Sequence, residues 1–276
     1  MPLTDTQIAN YHRDGFVIVP DLFTAEEIDL IGRAARQDPR IVGATGVEDT
    51  AGKQSKIWIT DQLGDDIYST IARCRRVMGN AGALLDGPAI HFHHKMMCKE
   101  PQVGGAWEWH QDYGYWYRNE RFLFPDLISC MIAVDRAHPG NGCLRVIPGS
   151  HLAGRIEHGT VAGQVGADVA RVEAIKQRLG VIDVELDPGA GLFFHSNTLH
   201  SSSANESDDP RWAYICCYTR EDNLPLGRAR KDEPASLEQL KAYGQQWLKD
   251  HDSTILDDDR VLTDARAEVE KTAAAG

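Results

Sequence analysis

The chain has 276 residues, 42% of them hydrophobic and 25% charged, an ordinary balance for a globular protein. Its 29 Lys and Arg against 41 Asp and Glu give a formal charge of −12, a field that repels phosphate backbones and anionic lipid, so neither nucleic acid nor membrane is an expected partner. The N-terminal residues lack the basic and apolar regions of a secretory leader, no run approaches the roughly 18 apolar residues of a membrane span, and the six cysteines form no C-x-x-C pair; a cytoplasmic protein with reduced thiols is expected.

Thr4 to Asp14 predicts a short helix capped by Thr4 or Asp5 and broken by Gly15. Phe16-Val17-Ile18-Val19 follows as a strand stopped by Pro20. Thr24 with Glu27 three residues later reads as a capping box opening a helix to about Gln37. Residues 38–60 look loop-rich, and Asp65 to about Leu85 reads as one helix. From Ile90 the period becomes alternating, with strands expected at 90–98, 106–113, 127–134, 143–147, 182–186, 191–195 and 212–219, separated by Pro-, Gly- and Asp-rich turns. Val165 to Leu179 predicts an inserted helix, Ser236 to Lys249 a last one, and the Ala-rich tail after about Ala267 a disordered end. No internal repeat or linker divides the chain. The expectation is one domain over residues 1–276, mainly β with flanking helices around a jelly-roll core.

The chemistry-bearing segment is Trp107-Glu108-Trp109-His110-Gln111-Asp112. In an extended strand alternate side chains share a face, so His110 and Asp112 are expected to point the same way, with Glu108 beside them. A second segment, from Pro188-Gly189 through Phe193-Phe194-His195, ends at His200, and Arg211 follows eleven positions later at the start of a strand. Two histidines and one carboxylate form a facial triad that leaves positions on iron open for a 2-oxoacid and O2. A buried Arg nearby would grip the far carboxylate of 2-oxoglutarate in a planar two-point pair. His195 competes with His200 as the second imidazole; the spacing to Arg211 favours His200.

His110-Gln111-Asp112, His200 and Arg211 resemble the phytanoyl-CoA dioxygenase family of Fe(II)/2-oxoglutarate oxygenases. So do Tyr11-His12-Arg13-Asp14-Gly15-Phe16-Val17-Ile18-Val19-Pro20 and Asn141-Gly142-Cys143-Leu144-Arg145-Val146-Ile147-Pro148-Gly149-Ser150-His151. The resemblance spans about residues 8–220, leaving a C-terminal helix and tail over 221–276. It implies a double-stranded β-helix (cupin-like) core, iron held by His110, Asp112 and His200, and 2-oxoglutarate and O2 as cosubstrates. It also implies Ser202 as a second contact to 2-oxoglutarate and Gln111 near cosubstrate or substrate. The implied reaction is hydroxylation of a small metabolite with release of succinate and CO2. Halogenating relatives carry a small residue where Asp112 stands, so a carboxylate here favours oxygen insertion. The alternatives are a cupin-like metal-dependent isomerase or hydrolase, or a non-catalytic binding protein on this fold.

Other residues are weaker candidates. Lys95, facing inward on a strand, needs an anion, either a 2-oxoglutarate carboxylate or an acidic substrate group. His91 and His93 are expected on one face and His94 on the other, with His93 a candidate for the pocket wall. Tyr113, Tyr115 and Trp116 follow the triad pair and read either as packing or as a substrate surface for an apolar or cationic group. No basic patch suggests binding of coenzyme A.

Overall fold

The computed structural model describes residues 2–226 and 236–257. Helix α1 (Asp5–Asp14) starts as the sequence predicts. Thr4 caps it in a reciprocal box with Gln7, and Gly15, at φ 82°, closes it by donating to the Tyr11 carbonyl at 2.7 Å. Strand β1 (Phe16–Val19) and helix α2 (Ala25–Gln37) follow, with the Thr24–Glu27 box in place. Glu27 also accepts from Arg76 at 2.7 and 2.8 Å, a buried pair.

That pair helps explain the first departure. Residues 65–85 are not one helix but α4 (Ile67–Arg73), a π-helical turn (Arg75–Gly79) and α5 (Asn80–Leu84). Cys74 is extended, forms a bridge with Leu256, and lets Arg76 swing to Glu27 and the Leu22 carbonyl. The stretch read as loop-rich holds a short helix α3 (Pro39–Val42) and the strands β2 (Gly46–Glu48) and β3 (Gln54–Thr60).

The later strands are β4 (Ala89–Lys99), β5 (Trp107–His110), β6 (Leu127–Ala133), β7 (Leu144–Val146), β8 (His158–Val161), β9 (Gln164–Ala167), β10 (Ile182–Val184), β11 (Gly191–His195), β12 (His200–Ser202) and β13 (Arg211–Arg220). Helices α6 (Asp112–Asn119), α7 (Val169–Leu179) and α8 (Leu237–Asp250) interrupt and close the series. The sequence predicts a helix from Val165 to Leu179. Its first residues instead form β9, paired with β8, and Asp168 caps α7 through Arg171 N at 2.9 Å. The Ala-rich tail lies outside the described residues.

All the paired strands run antiparallel. A seven-stranded sheet has the order β1-β11-β6-β13-β4-β3-β2, and a four-stranded sheet the order β10-β7-β12-β5. This is the double-stranded β-helix expected. The larger sheet is buried on both faces. Outward, Met96, Cys130, Ile132, Tyr214 and Cys216 pack with Ile31, Ala35, Ile67 and Ile71 of the helices. Inward, Met97, Met131, Leu192, Phe194 and Ala213 meet Leu144, Val146 and Val184 of the smaller sheet. Two-sided burial is why β6 is apolar at every position but Ser129 rather than strictly alternating. All six cysteines are buried and free. No helix among the described residues is long and apolar enough to cross a membrane.

Candidate metal and cosubstrate site

The two sheets open at one end into a cavity of about 280 Å³. At its wall His110 and His200 are direct cross-strand partners on β5 and β12, with ring centroids 4.1 Å apart. Each imidazole is fixed the same way. His110 Nδ1 donates to the Glu108 carbonyl at 2.7 Å and His200 Nδ1 to the Thr198 carbonyl at 2.9 Å, so each Nε2 keeps a lone pair for a metal.

Asp112 completes the set from a different element than expected. The strand predicted through residue 113 ends at His110, and Asp112 is the first residue of α6. His158 drives the turn: its Nε2 accepts from Gln111 N at 2.9 Å, and its ring packs so closely on Gly114 that a Cβ there would collide with it. Asp112 Oδ1 then lies 4.0 Å from His110 Nε2 and 3.9 Å from His200 Nε2, while Oδ2 accepts from Ser129 Oγ at 2.7 Å. One donor atom from each residue falls within 4.8 Å of the others, the only such cluster of three among the described residues.

The protonation states suit a cation. Burial, and then the neighbouring His200, push His110 well below its usual value, and burial lowers His200. Burial raises the Asp112 carboxyl, but Lys95, His200, His110 and the Ser129 hydroxyl outweigh it and bring it to about 2. Near neutral pH the site offers two neutral imidazoles and one carboxylate, the donor set of a mononuclear iron site.

Ser202 and Arg211 line the same cavity as the triad. Arg211 is 3% exposed and donates through Nε and Nη2 to the Gly142 carbonyl at 3.1 and 2.6 Å. Burial lowers it to about 10, which leaves it charged. His93, Lys95, Tyr115 and Trp116 line the cavity as expected candidates would. Tyr115 meets the His110 ring edge-on at 5.4 Å, and its hydroxyl donates to the Val165 carbonyl at 2.6 Å. Lys95 Nζ has no protein acceptor among the described residues.

Three candidates are placed elsewhere. Gln111 is fully buried outside the cavity; its amide donates to the Gly154 and Asn197 carbonyls and accepts from Ile156 N, all within 2.7–2.8 Å. It positions the loop between the ligands rather than touching a ligand. Tyr113 turns away because in a helix it sits about 100° from Asp112; its hydroxyl donates to the Phe122 and Leu123 carbonyls. Glu108 does not line the cavity because β5 carries an extra residue against β12: Ser202 pairs with Trp107 while His200 pairs with His110. This bulge puts Trp107, not Glu108, on the ligand face. A second irregularity, on β4 opposite Cys217 and Tyr218, turns His91 to the side of His94, where the two rings hydrogen-bond at 2.9 Å, and leaves His93 in the cavity. His195, the rival imidazole, is spent on Asn197 N at 2.9 Å and lies outside the cavity.

Further residues shape the site without a motif that marks them in the sequence. Ile57 and Ile59 come from β3, hidden in the stretch taken as loop, although Ile57-Trp58-Ile59 carried a strand signal. Asn119 and Glu120 reach the rim because α6 carries residues 112, 115, 116 and 119 down one side. Ser129 and Lys99 had no motif to reveal them.

A family model described as phytanoyl-CoA dioxygenase (PhyH) matches residues 11–213. The chain is 29% identical over 252 residues to an L-proline trans-4-hydroxylase of Streptomyces griseoviridis, covering 83% of this chain and 91% of that one. It is 28% identical over 242 residues to an ectoine dioxygenase of Halomonas elongata, covering 80% and 71%. The solved structure of EctD from S. alaskensis with 2-oxoglutarate and 5-hydroxyectoine superposes with a TM-score of 0.70 at 25% identity, covering 86% of each chain. With the triad geometry, these matches make the protein a non-heme Fe(II)/2-oxoglutarate-dependent oxygenase, and the chain belongs to the phytanoyl-CoA dioxygenase family.

Proposed function

We propose that this enzyme hydroxylates a small anionic or zwitterionic metabolite, with His110, Asp112 and His200 holding the iron and Arg211 and Ser202 holding the distal carboxylate of 2-oxoglutarate. The observation that carries this assignment is the pairing, in one cavity, of a three-donor cluster in its ligating protonation state with a buried guanidinium that has no carboxylate partner among the described residues. The bound iron supplies activation of O2, coupled to oxidative decarboxylation of 2-oxoglutarate to succinate and CO2. The chain's own residues set what is oxidised. Trp107, Tyr115 and Trp116 line the cavity with aromatic rings, and Lys95 is the foremost charge acting on Asp112.

Lys95 is the basis for the substrate class. It lies four residues from Lys99 on the same face of β4, about 13 Å along the strand from the Arg211 end. An anionic substrate group is the partner we assign to it. A cavity of about 280 Å³ suits 2-oxoglutarate with a small metabolite and not an acyl-coenzyme A. The relatives named for L-proline and ectoine point to substrates of that size. The free, buried cysteines are consistent with a cytoplasmic enzyme built as one catalytic domain. A cupin-like isomerase or hydrolase would have no use for the buried guanidinium. The test is a screen of amino acids, betaines and phosphonates for substrate-dependent succinate release with Fe(II), ascorbate and O2. Release confined to neutral or cationic compounds would refute the substrate class.

A further inference from the structure

Strand β4 carries one residue too many against β13. His93 pairs with Cys217 and His91 with Tyr218, so Phe92 is the extra residue of a bulge. The bulge brings two consecutive residues, Phe92 and His93, to the cavity where regular alternation would bring one. With Trp116 these rings make one wall: Phe92 meets Trp116 edge-on at 5.4 Å, and His93 meets it at 5.7 Å. A bulge also leaves backbone groups without ladder partners. Strand β3 cannot supply them, because its pairing with β4 stops at Thr60 opposite His94.

The support comes from the far end of the chain, beyond the residues 11–213 that the family model matches. His91 N donates to Ser253 Oγ at 3.2 Å, and the Ser253 hydroxyl donates to the His251 carbonyl at 2.9 Å. The hydroxyl spends its proton on its own segment and a lone pair on the bulge. Behind the wall, Phe122 meets Phe92 edge-on at 5.0 Å, and Trp247 of α8 meets Phe122 at 6.4 Å. Trp247 is buried on an otherwise mostly exposed helix, so this ring is what docks α8. It is held in turn by His251, which stacks on it at 4.2 Å and donates from its backbone N to the Trp247 carbonyl at 2.9 Å. Leu256 N then ties the segment to α4 through the Arg73 carbonyl at 2.9 Å.

We infer that α8 and the segment after it, through Trp247 and Ser253, position the β4 bulge and so set the shape of the Phe92, His93 and Trp116 wall that the substrate meets. Trp247, Phe122 and Ser253 do not line the cavity; they act through the wall and touch no ligand. The inference rests on the reading of this aromatic side of the cavity as the substrate side.

The experiment measures amide hydrogen exchange in the full chain held anaerobically with Fe(II) and 2-oxoglutarate, with substrate kinetics beside it. In Ser253→Ala, peptides over residues 89–95 should exchange about 3- to 10-fold faster than in wild type, the effect of losing one hydrogen bond. Peptides carrying His110 and His200 should not change. Trp247→Ala should act in the same direction and more strongly, and Ser253→Thr, which keeps the acceptor, should restore the wild-type rate. Affinity for 2-oxoglutarate should stay within about twofold in each variant, as expected for sites that share no partner. KM is read with the member of the amino acid, betaine and phosphonate panel that releases most succinate with wild type. It should rise roughly 10-fold in Trp247→Ala, with more succinate formed per substrate consumed, because a displaced wall misplaces the reacting atom. Unchanged exchange over 89–95 in Ser253→Ala, equal acceleration in β5 and β12, or a wild-type KM in Trp247→Ala overturns the inference. A wild type that releases succinate with no member of the panel overturns the substrate reading instead, and the exchange rates then decide the inference alone.

Discussion

Ser129 Oγ donates to Asp112 Oδ2 at 2.7 Å, and this bond joins the larger sheet to the carboxylate that faces the two imidazoles. It leaves Oδ1 as the oxygen turned toward His110 and His200. Outer contacts of this kind commonly carry 10- to 100-fold of metal affinity. Ser129→Ala is therefore expected to weaken Fe(II) or Co(II) binding by about 10-fold or more with little change in thermal stability of the metal-free protein. Unchanged affinity in a metal titration would show that the carboxylate is held by packing alone.

Removing a ligand should have a sharper effect. His110→Ala, Asp112→Ala and His200→Ala are each expected to abolish succinate release, and chelation of wild type should do the same until Fe(II) is restored. His195→Ala should keep the metal, since its ring already bonds Asn197 N outside the cavity. A metal-binding assay on the His195 and His200 variants separates the two: retention by His200→Ala with loss by His195→Ala would reverse the assignment.

Lys95→Met is expected to raise KM for the substrate by about 10-fold or more, in keeping with loss of a partly buried charge pair. The slow turnover of 2-oxoglutarate without substrate should remain. If 2-oxoglutarate affinity falls and substrate KM does not, Lys95 belongs to the cosubstrate.

Stability of the metal-free protein should fall as pH drops from about 6.5 to 5. Burial pushes His91 well below its usual value, His93 down to about 3 and His94 down to about 4. Above pH 6.5 these groups are neutral in both folded and unfolded chains, and stability does not depend on them. Below it the unfolded chain takes up protons that the folded chain refuses, so stability is lost with falling pH, by at most about 1.4 kcal/mol per pH unit for each histidine. The slope fades once pH reaches the folded values. Denaturant midpoints at pH 7.5, 6 and 5 test this, and a flat profile would contradict it.

Helix starts were legible because capping is local: Thr4 with Gln7 and Thr24 with Glu27 need nothing beyond their own turn. The buried strand β6 was legible as a short strand-like apolar segment bounded by turn residues, and the triad from residue types in two segments. The strand rule for His110 and Asp112 reached the right pair for an incomplete reason, since their convergence depends on α6 beginning at Asp112 and on His158 capping the loop from another segment.

What the sequence by itself determined was the set of chemical groups and the elements whose signals are short-range: three metal donors, an arginine, the capped helices and the alternating strands. What only the tertiary structure decided was which face each group occupies. A one-residue bulge reverses alternation, and two of them exchanged Glu108 for Trp107 and moved His91 to the side of His94, because register is set by the partner strand. Lys99 and Ser129 acquired their places for the same reason. Their positions opposite Arg211 and beside Asp112 exist only once strands distant in the chain are paired.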